Sequence, residues 1–434
     1  MTSEAYVWVF LPGDTKPTVC GLYSHAPTAA GSSVGNFIYA RSYLENSDRI
    51  SLDPIALPLR PATYSTTASN GVFGALSDAM PDDWGRYVID KLQGVKEFPV
   101  GYMLSILDDS IGNIAFSATS SSPPSSAEPI EFDLVPTARD VLLGIEQGKP
   151  VPTDIEGRVR PNTAMGGARP KLTIVHDGKL WLAKFPSSRD DKELSDARIE
   201  AAMLDLGRLC GINTARAHVA CGDVLLVERF DRAWVDGPTP GWRRDSYLSA
   251  RTIFNGGEAT QQTYAGGGYG RLAKELSRYS ANPRADQKEL FRRMVFNVCI
   301  ANTDDHDRNH GVLADDEPGS YRLSPAFDLL PKQHSTIRRF HAMALGGSES
   351  LGTRANLLTD CENFGIGQVE AEAILNEVEG CVAQNWGICL RNQGLNDAAL
   401  ERLSPCFSRI PDAADEVNAA IKTKRRIQMR TPKG

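Results

Sequence analysis

The chain has 434 residues, 41% hydrophobic and 23% charged, with a net charge of −7, which fits a globular protein of two or three domains. No apolar run approaches the roughly 20 residues of a membrane span, and the acidic balance argues against nucleic acid as the main ligand. The expectation is a cytoplasmic protein. Eight cysteines (Cys20, Cys210, Cys221, Cys299, Cys361, Cys381, Cys389 and Cys406) form no CxxC pair, so reduced thiols are expected, with neither disulfides nor a Cys-based zinc site.

In chain order, "YVWVFL" reads as a strand, since it is short and has no basic leader. "TVCGLY" and "NFIYARSYL" continue the β-rich pattern into the Pro-punctuated "DPIALPLRPATY". "FGALSDAMPDDWGRYVIDKL" predicts a helix capped by Ser77 or Asp82, with Trp84, Tyr87, Val88 and Leu92 at helical spacing. "SATSSSPPSSAEP" (117–129) has no apolar residue beyond Ala and reads as a connector. "KLTIVHDG" and "KLWLAKF" predict a hairpin turning at His176–Lys179. "LSDARIEAAMLDLGRLCG" predicts an amphipathic helix closed by Gly211, and "ARAHVACGDVLLVERFDR" two strands meeting at "CGD".

Beyond residue ~240 strand patterns nearly vanish and helices dominate. In "ADQKELFRRMVFNVCIANTDDH" one face carries Leu290, Phe291, Met294, Val295, Val298 and Cys299. The C-terminal "IKTKRRIQMRTPKG" reads as a charged, frayed tail, the alternative being a local contact to an acidic partner or DNA. A β-rich half before a helical half predicts an α+β, bilobal enzyme with a cleft.

Phosphoryl transfer from ATP needs a carboxylate for the acceptor hydroxyl, oxygen ligands for Mg²⁺, a lysine on the phosphates and backbone donors around them. In "NTDDHDRNHG" (302–311), Asp304 and Asn309 have the D-x-x-x-x-N spacing of a kinase catalytic loop. Asp305, Asp307 and His310 read as solvated loop. Asp328 interrupts an apolar run, where a carboxylate is costly unless paired or metal-bound. Lys184 ends an apolar strand, and Glu200 follows on the predicted helix to hold its ammonium. "TAMGGARPKLTI" brings Gly166 and Gly167, with Arg169 and Lys171, into a strand, so that backbone can approach phosphates. Glu228, Arg229 and Phe230 form a candidate hinge, with backbone groups for adenine and a ring to stack on it. Each feature has a bland counterpart: a solvated loop, a cap or salt bridge, a snorkelling lysine, a plain turn. Their order along the chain points jointly to a kinase.

With these residues the sequence resembles the HipA family of bacterial Ser/Thr kinases, the toxins of type II toxin–antitoxin modules, over nearly its whole length. The family's "TDxHxxN" loop stands as Thr303 to Asn309, its "P-x-x-D" as Pro325-Ala326-Phe327-Asp328 and its "GAxxK" as Gly167-Ala168-Arg169-Pro170-Lys171. Its ATP lysine stands as Lys184 and its "ERFDR" hinge as Glu228 to Arg232. The resemblance implies a protein-kinase-like fold, divided as 1–117, 118–232 and 233–434, and Asp304 as catalytic base. It also implies His306 and Phe327 beside the nucleotide, with Asn309 and Asp328 holding Mg²⁺. It further implies a protein substrate such as an aminoacyl-tRNA synthetase, and a small DNA-binding antitoxin through which the operon is repressed. One departure is Ala164, where members often carry an autophosphorylated Ser; self-modification is then absent or moved to Thr163. Two other readings compete. A metal-dependent hydrolase on His306, His310 and the Asp cluster leaves Lys184, the Gly pair and the hinge unexplained. A non-catalytic kinase-fold binding or co-repressor protein leaves the intact acid and metal residues unexplained.

Overall fold

The computed structural model describes residues 3–29, 31–106, 109–125, 128–149, 169–191, 193–254, 268–316, 319–336, 338–347 and 349–412. Gly166, Gly167, Ala168, Thr163, Ala164 and the basic C-terminal stretch lie outside them.

The N-terminal strands are β1 (Ser3–Phe10), β2 (Pro17–Pro27), β3 (Ser33–Tyr39), β4 (Thr63–Thr66) and β5 (Ile114–Ser117). They form an antiparallel sheet of order β4-β3-β2-β1-β5. Alternation sets the faces: Ala5, Val7 and Val9 enter the main core, while Trp8 and Phe10 pack with Ala115 on the other side. Of the two candidate caps, Asp82 is the one used, its Oδ1 accepting from Gly85 N at 2.7 Å to start the helix Asp83–Gln93.

The second sheet runs β6 (Ile130–Glu131), β7 (Lys171–His176), β8 (Lys179–Lys184), β10 (Val224–Glu228) and β9 (Ala217–Ala220), with only β6–β7 parallel. The β7–β8 hairpin turns through Asp177 and Gly178, both at positive φ (49° and 68°), as a two-residue turn between twisted strands requires. The helix Asp196–Leu209 starts at a Ser195 cap and closes at Gly211 (φ 77°). Here the sequence pattern and the fold agree.

The C-terminal half departs from expectation. Helices do dominate, led by Pro283–Cys299 and Gln368–Asn392, but strands persist. β11 (Arg232–Val235) and β12 (Gly241–Arg244) make a hairpin. β13 (Tyr247–Ser249), β14 (Gly311–Ala314) and β15 (Tyr321–Leu323) make a three-stranded sheet that flanks the 302–311 loop. These strands have three or four residues each, too few for a period to register. All eight cysteines are free, six of them buried. Among the described residues no helix is long and apolar enough to cross a membrane.

One hydrophobic core joins the N-terminal sheet to the helical half: Phe73, Leu76 and Met80 lie in the same cluster as Leu248, Ala250, Ile253 and Phe296. The N-terminal subdomain is therefore packed into the kinase-like body and not tethered to it.

Candidate active site

Register begins the site. Lys171 and Lys184 are direct partners across the β7–β8 ladder, and like charges so placed repel. Each has its own counter-ion. Lys184 Nζ donates to Glu200 Oε1 and Oε2 at 2.7 and 3.0 Å and to Asp328 Oδ1 at 2.9 Å. Lys171 pairs with Asp82 of the N-terminal subdomain, both side chains under 5% accessible. Burial works to lower the Lys184 ammonium, but Asp328 and Glu200 outweigh it and keep it charged. Burial likewise pushes Asp328 up, and Lys184 overrides this to hold the carboxyl at about 2. Asp328 lies deep in the molecule yet opens on the cleft, which is why 43% of its side chain is accessible. Its backbone is left-handed (φ 58°), a strained state for a non-glycine residue that surrounding structure must enforce. Ala215 N to Ala326 O, Ala326 N to Asn213 O and Asn302 Nδ2 to Asp328 O do so.

The catalytic-loop candidate leaves the helix Pro283–Cys299 through Ala301 (φ 55°). Within it the polar residues divide differently from the sequence reading. Asp305 and His310 are not solvated: each is 2% exposed, and His310 Nε2 lies 2.9 Å from Asp305 Oδ2. Tyr269 OH also donates to Asp305, Asn297 Nδ2 donates to Tyr269, and Asn302 Nδ2 to Asn297 Oδ1. Burial pushes Asp305 up, and His310 with Tyr269 holds it below the usual carboxylate range. Asp307 is paired with Arg251 at 3.0 Å. A buried polar network thus supports the loop, because an unpaired carboxylate there would be prohibitive. Asp304, by contrast, is exposed and has Lys332 Nζ at 3.4 Å. Asn309 is buried against the cleft, its N–H donating to His306 O at 2.9 Å. His306 Nδ1 is buried without a hydrogen-bond partner among the described residues.

The cleft has a volume of about 1030 Å³ and is walled by Leu182, Lys184, Val227 to Phe230, Arg308, Asn309, Phe327 and Asp328, ample for a nucleotide. Phe230 sits 5.8 Å from Phe327 and 6.3 Å from Tyr247, ring centre to ring centre. The N–H groups of Glu228 and Arg229 already serve Arg216 O and Leu180 O, and Glu228 Oε1 accepts from Lys179 at 2.7 Å. The Arg229 side chain is spent elsewhere: its guanidinium is buried among Asp231, Asp109, Thr173 and Ser110 O. Arg169 is tied to Asp190 and Asp196. The structure thus brings Lys184, Asp328, Asn309, Phe230 and Phe327 to one cleft, with Glu200 buried behind Lys184. It commits Arg169, Lys171 and the Arg229 side chain to ion pairs, and leaves Asp304 outside the residues that wall the cleft. An ionised Asp328 with the amide oxygen of Asn309 is a hard-oxygen set suited to Mg²⁺, whereas His306 is not among the residues that wall the cleft.

Sequence reading missed the second wall altogether. Asp53, Tyr64 to Asn70, Ser77, Asp78 and Asp82, all from the N-terminal subdomain, line the same cleft. No local signal marks Asp78, since its partners Ser249 and Thr252 lie 171 and 174 positions away.

Comparison with known proteins adds to this geometry. The HipA-like C-terminal domain matches residues 163–386 and the HipA N-terminal domain residues 27–117. The chain is 26% identical to a putative kinase, Y4mE, of Sinorhizobium fredii over 68% of its length and 71% of the relative's. It is 25% identical to the serine/threonine-protein kinase toxin HipA of Shewanella oneidensis over 63% and 66% of the two chains. Among solved structures it is similar to the HipA, HipB and operator DNA complex of Shewanella oneidensis, with a TM-score of 0.63 at 17% identity, covering 93% of this chain and 96% of the other.

Proposed function

The chain belongs to the HipA family of protein kinases, and on that premise we propose that it transfers the γ-phosphate of Mg-ATP to a Ser or Thr of a protein. The observation that carries this is the Lys184 ammonium held between Glu200 and Asp328. Glu200 aims the lysine at the phosphates, and Asp328 and Asn309 would hold the cation. Bound Mg²⁺ neutralises charge on the transferring phosphoryl group. Asp304 orients the acceptor hydroxyl and takes its proton, with Lys332 Nζ 3.4 Å from its carboxylate. Phe230 and Phe327 enclose the adenine. Gly166, Gly167 and Ala168, which lie outside the described residues, supply backbone donors to the phosphates in this proposal, while Arg169 and Lys171 keep their ion pairs. In this reading 1–117 is the N-terminal subdomain, 118–232 the nucleotide lobe and 233–434 the lobe of the acceptor chemistry.

We propose further that the protein is a cytoplasmic toxin of a type II module. An aminoacyl-tRNA synthetase is its candidate substrate and a small helix-turn-helix antitoxin its partner, reaching operator DNA together. The solved relative bound to HipB and operator DNA supports the partner. The test uses purified protein, Mg²⁺ and γ-labelled ATP with a cell extract. Asp304→Gln should lower transfer by about 10²–10⁴-fold, and Asp328→Asn should do likewise, with melting unchanged. Transfer that survives both substitutions would refute the assignment.

A further inference from the structure

The kinase reading uses the two lobes and leaves the N-terminal subdomain without a part in catalysis. Yet that subdomain grips both sides of the cleft. On the hinge side, Gly112 N donates to Asp231 Oδ2 at 2.9 Å, while Arg229 reaches Asp109 and Ser110 O, and Arg232 reaches Gly112 O at 2.8 Å. On the catalytic-loop side the grip is a single carboxylate. Asp78 accepts from Ser249 N at 2.8 Å, Ser249 Oγ at 2.7 Å and Thr252 Oγ1 at 2.7 Å. The approach is close: a Cβ on Gly74 would stand 2.7 Å from Thr252 Oγ1.

The residues so held are the ones on which the catalytic loop rests. Ser249 pairs with Gly311 in the β13–β14 ladder, so the loop's end is anchored on the strand that Asp78 fixes. Ala250 N donates to His310 O at 2.8 Å and Arg251 N to Asp307 O at 3.1 Å, and the Arg251 guanidinium pairs with Asp307. Asn309 lies between those two carbonyls in sequence. We infer that Asp78 is a positioning residue for phosphoryl transfer, through which the N-terminal subdomain sets the catalytic loop against the hinge. In this arrangement one packed body spans the lobes, and Asp78 holds the strand and helix start on which the loop carrying Asp304 and Asn309 rests. A carboxylate with three donors is stronger and more directional than a neutral acceptor, and small displacements of a positioned group cost large factors in rate.

This inference rests on the kinase reading, and one experiment separates the two. ADP formation by the full chain is followed with Mg-ATP and heat-treated cell extract as the acceptor source. The proteins compared are wild type, Asp78→Ala, Asp78→Asn and Thr252→Val. Asp78→Ala should lower kcat by about tenfold or more, leaving KM for ATP within about twofold. Asp78→Asn, which keeps an acceptor oxygen, should recover part of the loss, and Thr252→Val should lose less than Asp78→Ala. A role confined to folding would lower the melting temperature and the active fraction without this graded series in kcat per folded molecule. Unchanged kcat in all variants would overturn the inference, as would a rise in KM matching the fall in kcat. Should Asp78→Ala fail to fold, Thr252→Val decides alone, and a wild-type kcat there overturns it. Wild type that forms no ADP would instead remove the kinase reading, and this inference with it.

Discussion

Asp82 offers the sharpest test of how the N-terminal subdomain is held to the nucleotide lobe. Its Oδ1 caps the helix Asp83–Gln93 and its other oxygen pairs with Lys171, the two side chains 3% and 4% accessible. Asp82→Asn keeps a cap acceptor and removes the charge opposite a buried ammonium that sits directly across the ladder from Lys184. Removing one partner of a buried pair costs about 3–5 kcal/mol. Asp82→Ala should cost about 1 kcal/mol more, because the cap is lost as well. Combining Asp82→Asn with Lys171→Met should restore most of the stability, since no uncompensated charge remains. Urea denaturation of the four proteins gives the free energies, and the double-mutant cycle isolates the pair. Singles and double that simply add, or an Asp82→Asn loss under about 1 kcal/mol, would refute the reasoning.

Two further outcomes follow from other sites. His341 is 6% exposed, and burial brings it down from the ordinary 6.5 to about 4. The unfolded chain then binds the proton first, so stability drops as pH falls from about 6.5 towards 4, by about 3 kcal/mol in all. Denaturation of wild type and His341→Leu at pH 7 and 4.5 checks this, and parallel pH dependences would count against it. Separately, if Thr163 replaces the serine absent at Ala164, incubation with Mg-ATP should place phosphate on Thr163. Peptide mapping would then find residues 160–170 unmodified in Thr163→Ala.

What could be read from the chain and what could not divide by the range of the interaction. Asp328 and Lys184 stand out because each breaks a local rule, a charge in or at the end of an apolar run, and such violations mark sites where a partner must exist. Asp304 and Asn309 stand out by spacing alone. Asp305 and His310 look equally polar in sequence, and nothing near them says they are buried; Tyr269, which also donates to Asp305, lies 36 positions upstream. Asp78 is further still from Ser249, at 171 positions, so its helix reads as an N-terminal element and never as a wall of the cleft. The same limit explains the missed sheet: β13 finds β14 only after some sixty intervening residues, and neither strand is long enough to announce itself. A sequence displays the groups that do chemistry because their types are unusual where they stand. It conceals the groups that position them, because an aspartate capping a turn and an aspartate gripping a distant strand are locally the same. For this chain the concealed set includes Asp78, Asp82 and Asp109, three acids of the N-terminal subdomain that each have a partner in the kinase body. That distribution is what makes the subdomain a candidate part of the catalytic machinery.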